Sequence, residues 1–289
     1  MKLYIARPQG YCIGVKRAID LALNVRENNK DAKIVILGML VHNEEVIKRL
    51  EKHQIYTKKG LKADIIEFLE QVDKDTHLII TAHGYPLEYK EIIEKRGLIV
   101  HDATCPMVEA NMKRIKKALD TNHQVIYIGK AGHPEVNAAI SLGKNVFLYP
   151  ISGTLDFKKI DDPEPLVINQ TTLSILELSA YHEKIIKHIP NANIADEICN
   201  ATRMRQKAVQ NIPQDVELIY IVGSKKSSNT GKLVEVAKET HPNAKVLLIA
   251  NVDEINENDL KGVDHVAISS GASTPFDLVQ DVIDFLKDK

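Results

Sequence analysis

Short apolar runs of four or five residues alternate along the chain with longer stretches whose apolar positions recur every three or four residues. The short runs predict buried strands, and the longer stretches predict amphipathic helices. Three runs end at a glycine: Ile34–Leu37 into Gly38, Val125–Ile128 into Gly129, and Leu218–Val222 into Gly223. A helical pattern precedes each of them, over Val15–Val25, Val108–Leu119 and Arg203–Val209. A further helix follows each, then a third short strand at Ile55–Thr57, Val146–Tyr149 or Val246–Ile249. A fourth strand closes each set, at Leu78–Thr81, Leu166–Ile168 and Val266–Ser269. The same order of elements written three times predicts a repeated unit of about ninety residues. Strands alternating with helices imply an α/β fold of small, mostly parallel sheets, with chemistry at the turns that follow the strands.

The cysteines carry the same period. Only three are present, Cys12, Cys105 and Cys199, spaced 93 and 94 residues apart. Each follows an apolar stretch and precedes a helical pattern. Three pseudo-threefold-related α/β units would bring three thiolates to one central metal site with an open position. The expected division is 1–97, 98–190 and 191–289, with Asp161-Asp162-Pro163-Glu164-Pro165 as a surface loop and Ile189-Pro190-Asn191 as a linker.

Two more sets of side chains keep the register. Four residues past each strand glycine stand His42, His133 and Ser227, at offsets of 30, 28 and 28 from the preceding cysteine. The turns after the fourth strands hold His83, Thr171 and Ser273, at offsets of 71, 66 and 74. An isolated cysteine is most simply a small buried hydrophobe, and an isolated histidine is usually structural. Recurrence at equivalent turns argues for function instead.

Composition narrows the setting. A formal net charge of −1 over 289 residues argues against nucleic-acid or membrane-surface binding. No opening segment resembles a signal peptide, and no apolar run approaches the ~20 residues of a membrane helix. Three cysteines without an even pairing fit a reducing compartment, so a cytoplasmic protein is expected.

Structural zinc sites use closely spaced cysteine pairs, and none occurs here. Iron–sulfur clusters usually take four thiolates; three would leave one iron open to substrate. The segment Gly223-Ser-Lys-Lys-Ser-Ser-Asn-Thr-Gly231 offers hydroxyls and backbone N–H groups to an anion at a helix start. It lacks the Gly-Lys-Ser/Thr ending of a nucleotide P-loop. Ser227, Ser228 and Asn229 would also serve as plain helix caps. Glu135, two residues after His133, reads equally as a proton donor or as a first-turn helix carboxylate.

Taken in order, the motifs resemble those of the LytB/IspH family, the iron–sulfur hydroxymethylbutenyl diphosphate reductases. They are Gly10-Tyr-Cys12-Ile-Gly-Val, Val41-His42-Asn43, Ala82-His83-Gly84, Asp102-Ala-Thr-Cys105-Pro and Gly132-His133-Pro-Glu135-Val. Gln170-Thr171-Thr172, Ile198-Cys199-Asn-Ala-Thr with Arg205-Gln206, Ser227-Ser228-Asn229-Thr and Gly271-Ala-Ser273-Thr-Pro complete the set. The resemblance implies one [4Fe-4S] cluster per chain, held by Cys12, Cys105 and Cys199 with one open iron. It implies a diphosphate pocket of His42, His83, His133, Ser227, Ser228, Asn229 and Ser273. Thr171 would hold the substrate hydroxyl and Glu135 would supply protons. The N-terminal segment 1–11 would add its strand to the last unit's sheet.

The reaction so implied converts 4-hydroxy-3-methylbut-2-enyl diphosphate to isopentenyl and dimethylallyl diphosphate, the last step of the non-mevalonate isoprenoid pathway. No Gly-x-Gly-x-x-Gly follows a strand, so electrons would come from a partner such as ferredoxin or flavodoxin. Two alternatives stay open: a quinolinate-synthase-like enzyme and a redox-sensing cluster protein. Lys226 and Tyr85-Pro86 depart from the family's usual residues and bear on the pocket's contacts.

Overall fold

The computed structural model describes residues 1–195 and 198–289. In chain order the elements begin with β1 (Lys2–Ile5), α1 (Ile13–Asn28), β2 (Ile34–Leu37), α2 (Glu44–Lys52), β3 (Ile55–Lys58) and α3 (Lys62–Gln71). Then come β4 (His77–Ile80), α4 (Leu87–Arg96), β5 (Ile99–Asp102), α5 (Pro106–Asp120), β6 (Val125–Gly129) and α6 (Pro134–Ile140). Next are β7 (Val146–Pro150), β8 (Leu166–Asn169), α7 (Ile175–His188), β9 (Asn193–Ile194) and α8 (Asn200–Gln210). The chain closes with β10 (Leu218–Val222), α9 (Ser228–Thr240), β11 (Lys245–Ile249), β12 (His265–Ser270) and α10 (Phe276–Lys287).

The strands form three four-stranded sheets, ordered β3-β2-β4-β5, β7-β6-β8-β9 and β1-β12-β10-β11. Every pairing among them is parallel. Parallel strands covered on both faces need continuous apolar runs rather than alternation. The inner strands β2, β6 and β10 meet that demand, with every residue buried. Edge strands are less covered: β5 and β9 are partly exposed throughout.

Each sheet takes an edge strand from the segment that leads to a cysteine. β5 leads to Cys105 and pairs with β4; β9 leads to Cys199 and pairs with β8. β1 leads to Cys12 and pairs with β12, Leu3 opposite Val266. The strand of the opening segment therefore lies in the third sheet. Helix starts follow from local chemistry: Pro106 and Pro134 sit in the first turn of their helices, where a missing N–H costs nothing. Gly97 closes α4 with φ at 63°, a left-handed cap that favours glycine.

By compactness the chain resolves into two units. Met1–Val15, His42–Val46 and Cys199–Lys289 make one; Lys16–Val41 and Ile47–Ile198 make the other. No helix among the described residues is long and apolar enough to cross a membrane.

Candidate functional site

In the unit that holds the second sheet, β6, α6 and β8 place an acid at the strand ends. The His133 ring accepts a hydrogen bond from the Glu135 N–H at 3.2 Å, fixing the entry to α6. Glu135 is 1% exposed and meets three donors. The Thr171 N–H donates to Oε1 and the Thr171 hydroxyl to Oε2, both at 2.9 Å. The Tyr127 hydroxyl donates to Oε1 at 3.0 Å. Burial pushes the Glu135 pKa up, and the bonds from Thr171 and Tyr127 pull it back only in part. The Tyr127 phenol is driven well above its ordinary value by burial and by the carboxylate beside it. Such a carboxyl holds a proton more readily than a solvated one, as a proton donor must.

His83 is half-buried at the end of β4, its N–H donating to the Thr81 hydroxyl at 3.3 Å. Its ring meets the His133 ring edge to face, centroids 5.4 Å apart. Thus Glu135, Thr171, His133 and His83 lie together in this unit. Cys105 caps the start of α5, and its N–H donates to the Ala82 carbonyl at 2.9 Å.

The other unit collects His42, Ser227, Ser228, Asn229 and Ser273 with two of the cysteines. Gly223 admits this arrangement: its φ is +155°, and a Cβ there would meet the Thr230 and Thr274 hydroxyls at 2.8 Å. The Ser227 hydroxyl caps α9 by accepting from the Thr230 N–H at 3.2 Å. Asn229 does more than cap. Its Oδ1 accepts from the Ala272 N–H at 2.9 Å and its Nδ2 donates to Thr202 at 3.4 Å, locking the α9 start to the turn that bears Ser273. The Ser273 hydroxyl donates to the His42 carbonyl at 3.3 Å. Ser228 is half-buried beside these groups in the first turn of α9.

Cys12 directly precedes α1, and its Sγ accepts from the Val15 N–H at 3.4 Å. Cys199 caps α8. All three cysteines are half-buried, none is in a disulfide, and each sits at the N-terminus of its helix. Helix N-termini favour negative charge, so each of the three sulfurs sits in a setting that suits a thiolate.

Against known proteins, the model of the family described as LytB protein matches residues 3–287. The chain belongs to the LytB family. It is 38% identical over 283 residues to the 4-hydroxy-3-methylbut-2-enyl diphosphate reductase of Bacillus licheniformis, covering 97% of this chain and 88% of that one. It is 40% identical over 292 residues to the enzyme of the same name from an Exiguobacterium species, covering 99% and 90%. Among solved structures, the E-1-hydroxy-2-methyl-but-2-enyl-4-diphosphate reductase of Plasmodium falciparum matches with a TM-score of 0.89 at 29% identity, over 99% of this chain and 88% of that one. A second solved structure, described as the terminal enzyme of the non-mevalonate pathway, matches over the full length of both chains with a TM-score of 0.70 at 29% identity.

The two departures from the family's usual residues now have physical accounts. Lys226 turns to Glu44 on α2, Nζ to Oε1 at 3.2 Å, and Glu44 also accepts from the Ser224 hydroxyl at 2.5 Å. Its added charge is therefore matched locally by a carboxylate. Tyr85 packs on the core of the first sheet, and Pro86 caps α4. The Leu87 N–H donates to the Ser141 hydroxyl at 2.9 Å, which anchors the segment that follows His83 onto α6.

Two residues central to this geometry carry no role in the sequence reading. Tyr127 reads there as one apolar position in a buried strand; a buried phenol needs a hydrogen-bond partner, and that requirement was the available signal. Arg205 appears in a motif without an assigned task.

Proposed function

We propose that this chain reductively dehydroxylates 4-hydroxy-3-methylbut-2-enyl diphosphate to isopentenyl and dimethylallyl diphosphate, as an iron–sulfur oxidoreductase of isoprenoid biosynthesis. The observation that carries the reading is the buried Glu135 carboxyl, hydrogen-bonded through both oxygens to Thr171 at the end of the second sheet. Family membership and the near full-length likeness to named reductases support it. We further assign the three ligands as Cys12, Cys105 and Cys199, one from each of the repeats 1–97, 98–190 and 191–289. When bound, a [4Fe-4S] cluster held by three thiolates supplies one-electron transfer and one open, Lewis-acidic iron.

The protein's own residues do the rest. The Thr171 hydroxyl lies 2.9 Å from Glu135 Oε2; with Glu135 protonated and donating to Thr171, the hydroxyl turns to a substrate oxygen, so that it passes on its own proton as it takes the acid's. His42, His83, His133, Ser227, Ser228, Asn229 and Ser273 supply donors to a diphosphate. Binding energy from that remote, unreacting group orients the carbon that loses its hydroxyl. A ferredoxin or flavodoxin is the proposed electron donor.

Anaerobically prepared protein should contain four irons and four sulfides per chain and turn over the allylic diphosphate with a chemical reductant. Protein that binds no iron–sulfur group after anaerobic reconstitution would overturn the reading.

A further inference from the structure

Arg205 lies on α8 in the unit that bears Cys12 and Cys199, and it is 2% exposed. A guanidinium cannot shed its proton to escape burial, and an unpaired buried cation is costly. Arg205 nevertheless has no carboxylate partner among the described residues. Its Nη2 donates to the Gly10 carbonyl at 2.7 Å and its Nη1 to the Ala201 carbonyl at 3.2 Å. Its Nε–H is buried without a hydrogen-bond partner. Burial lowers its pKa, and the charges that act against that shift are those of Cys12 and Cys199.

Two features follow from these contacts. Gly10 stands two residues before Cys12, so the guanidinium ties the Cys12 loop to the helix that Cys199 caps. The same group keeps a positive charge and one N–H donor unanswered by protein. Potentials of iron–sulfur groups are set by net charge, burial and hydrogen bonds to sulfur.

We infer that Arg205 is a positioning residue for the iron–sulfur group, holding the Cys12 loop against the Cys199 helix and keeping a buried, fixed positive charge where the Cys12 and Cys199 sulfurs act on it. This rests on the assignment of the cysteines as cluster ligands. A fixed cation stabilises the reduced, more negative form over the oxidised one, so it raises the potential at which the group accepts an electron.

The test is a redox titration of anaerobically reconstituted wild type, Arg205→Gln and Arg205→Lys, followed by electron paramagnetic resonance. Arg205→Gln should disfavour the reduced form about tenfold or more, a shift of about 59 mV to lower potential for a one-electron couple. Arg205→Lys keeps a charge but loses the planar donor, and its potential should fall between the two. Arg205→Gln protein that holds its cluster at the wild-type potential overturns the inference. Should Arg205→Gln fail to load, an unchanged potential in Arg205→Lys overturns it instead. A wild-type protein that loads no cluster refutes the cysteine assignment, whereas a loaded wild type with indifferent variants refutes Arg205 alone.

Discussion

Glu135 and Arg205 are both buried and both ionisable, yet the protein finishes them differently. The Glu135 carboxyl is met by three donors within 3.0 Å, from Thr171 and Tyr127. Arg205 has two carbonyl acceptors, one open N–H and no neighbouring carboxylate among the described residues. The contrast follows from acid–base chemistry. A carboxyl can take a proton when desolvation disfavours its charge, so it can be buried complete within the protein. A guanidinium has no such escape. Its counter-charge must come from elsewhere, and Cys12 and Cys199 are the groups whose charge, as thiolates, would act on it. On the proposed assignments, one region would hold a proton and the other an electron-accepting group.

The largest expected effect tests the electron side. Replacing any one of Cys12, Cys105 or Cys199 by Ser should abolish turnover and lower retained iron, because a hard hydroxyl is a poor substitute for a soft thiolate. Iron content and activity after anaerobic reconstitution measure both. A Ser variant that keeps four irons and full activity would remove that cysteine from the ligand set.

On the proton side, Glu135→Gln retains size and can keep the hydrogen bonds, since the Thr171 hydroxyl can rotate to accept from the new amide. Turnover should fall on the order of 10²–10⁴-fold, the range for a lost general acid, with the Michaelis constant little changed. Normal turnover in that variant would return Glu135 to the role of a helix-start carboxylate.

A third change is smaller. Asn229→Ala removes a donor from the proposed diphosphate pocket and also the lock between α9 and the Ser273 turn. A hydrogen bond to a charged group is worth about 1.5–3 kcal/mol, so the Michaelis constant should rise roughly 10- to 100-fold. An unchanged constant would take Asn229 out of the pocket.

How much of this could be read before folding differs between the two regions. The inner strands were legible because parallel strands demand unbroken apolar runs; β2 and β10 begin and end where the pattern predicts. The first-sheet membership of β5 was not, because Ile99-Val-His-Asp carries no sign of which neighbour it pairs with. Pairing of that kind is decided by tertiary packing. Glu135 and Thr171 stood out by residue type and by their places after strands, and the structure joins them. Tyr127 was hidden inside an apolar run, and Arg205 among the polar residues of a helix whose buried face was the unusual one. Lys226 shows the converse: its charge was visible in sequence, but its answer, Glu44, lies 182 residues away.

The finest test separates the donors around Glu135. Tyr127→Phe removes one hydroxyl from a fully buried strand position and leaves the ring. A net hydrogen bond is worth about 1 kcal/mol, so turnover should change only about fivefold. The direction of the pH dependence is more telling than the size. The Tyr127 hydroxyl favours the ionised carboxylate and so restrains the upward pull of burial on the Glu135 pKa. Without it the carboxyl should hold its proton to higher pH, and the basic limb of the turnover profile should move upward. Stability should follow the same linkage. A carboxyl whose folded pKa lies above its unfolded one contributes fully below the ordinary value of about 4.3 and loses that contribution as pH rises through the folded value. The melting temperature of Tyr127→Phe should therefore fall further behind wild type as pH rises through the folded Glu135 pKa of wild type toward the higher one of the variant. A gap that stays constant with pH, together with an unmoved basic limb, would mean that Tyr127 only fills space behind the acid.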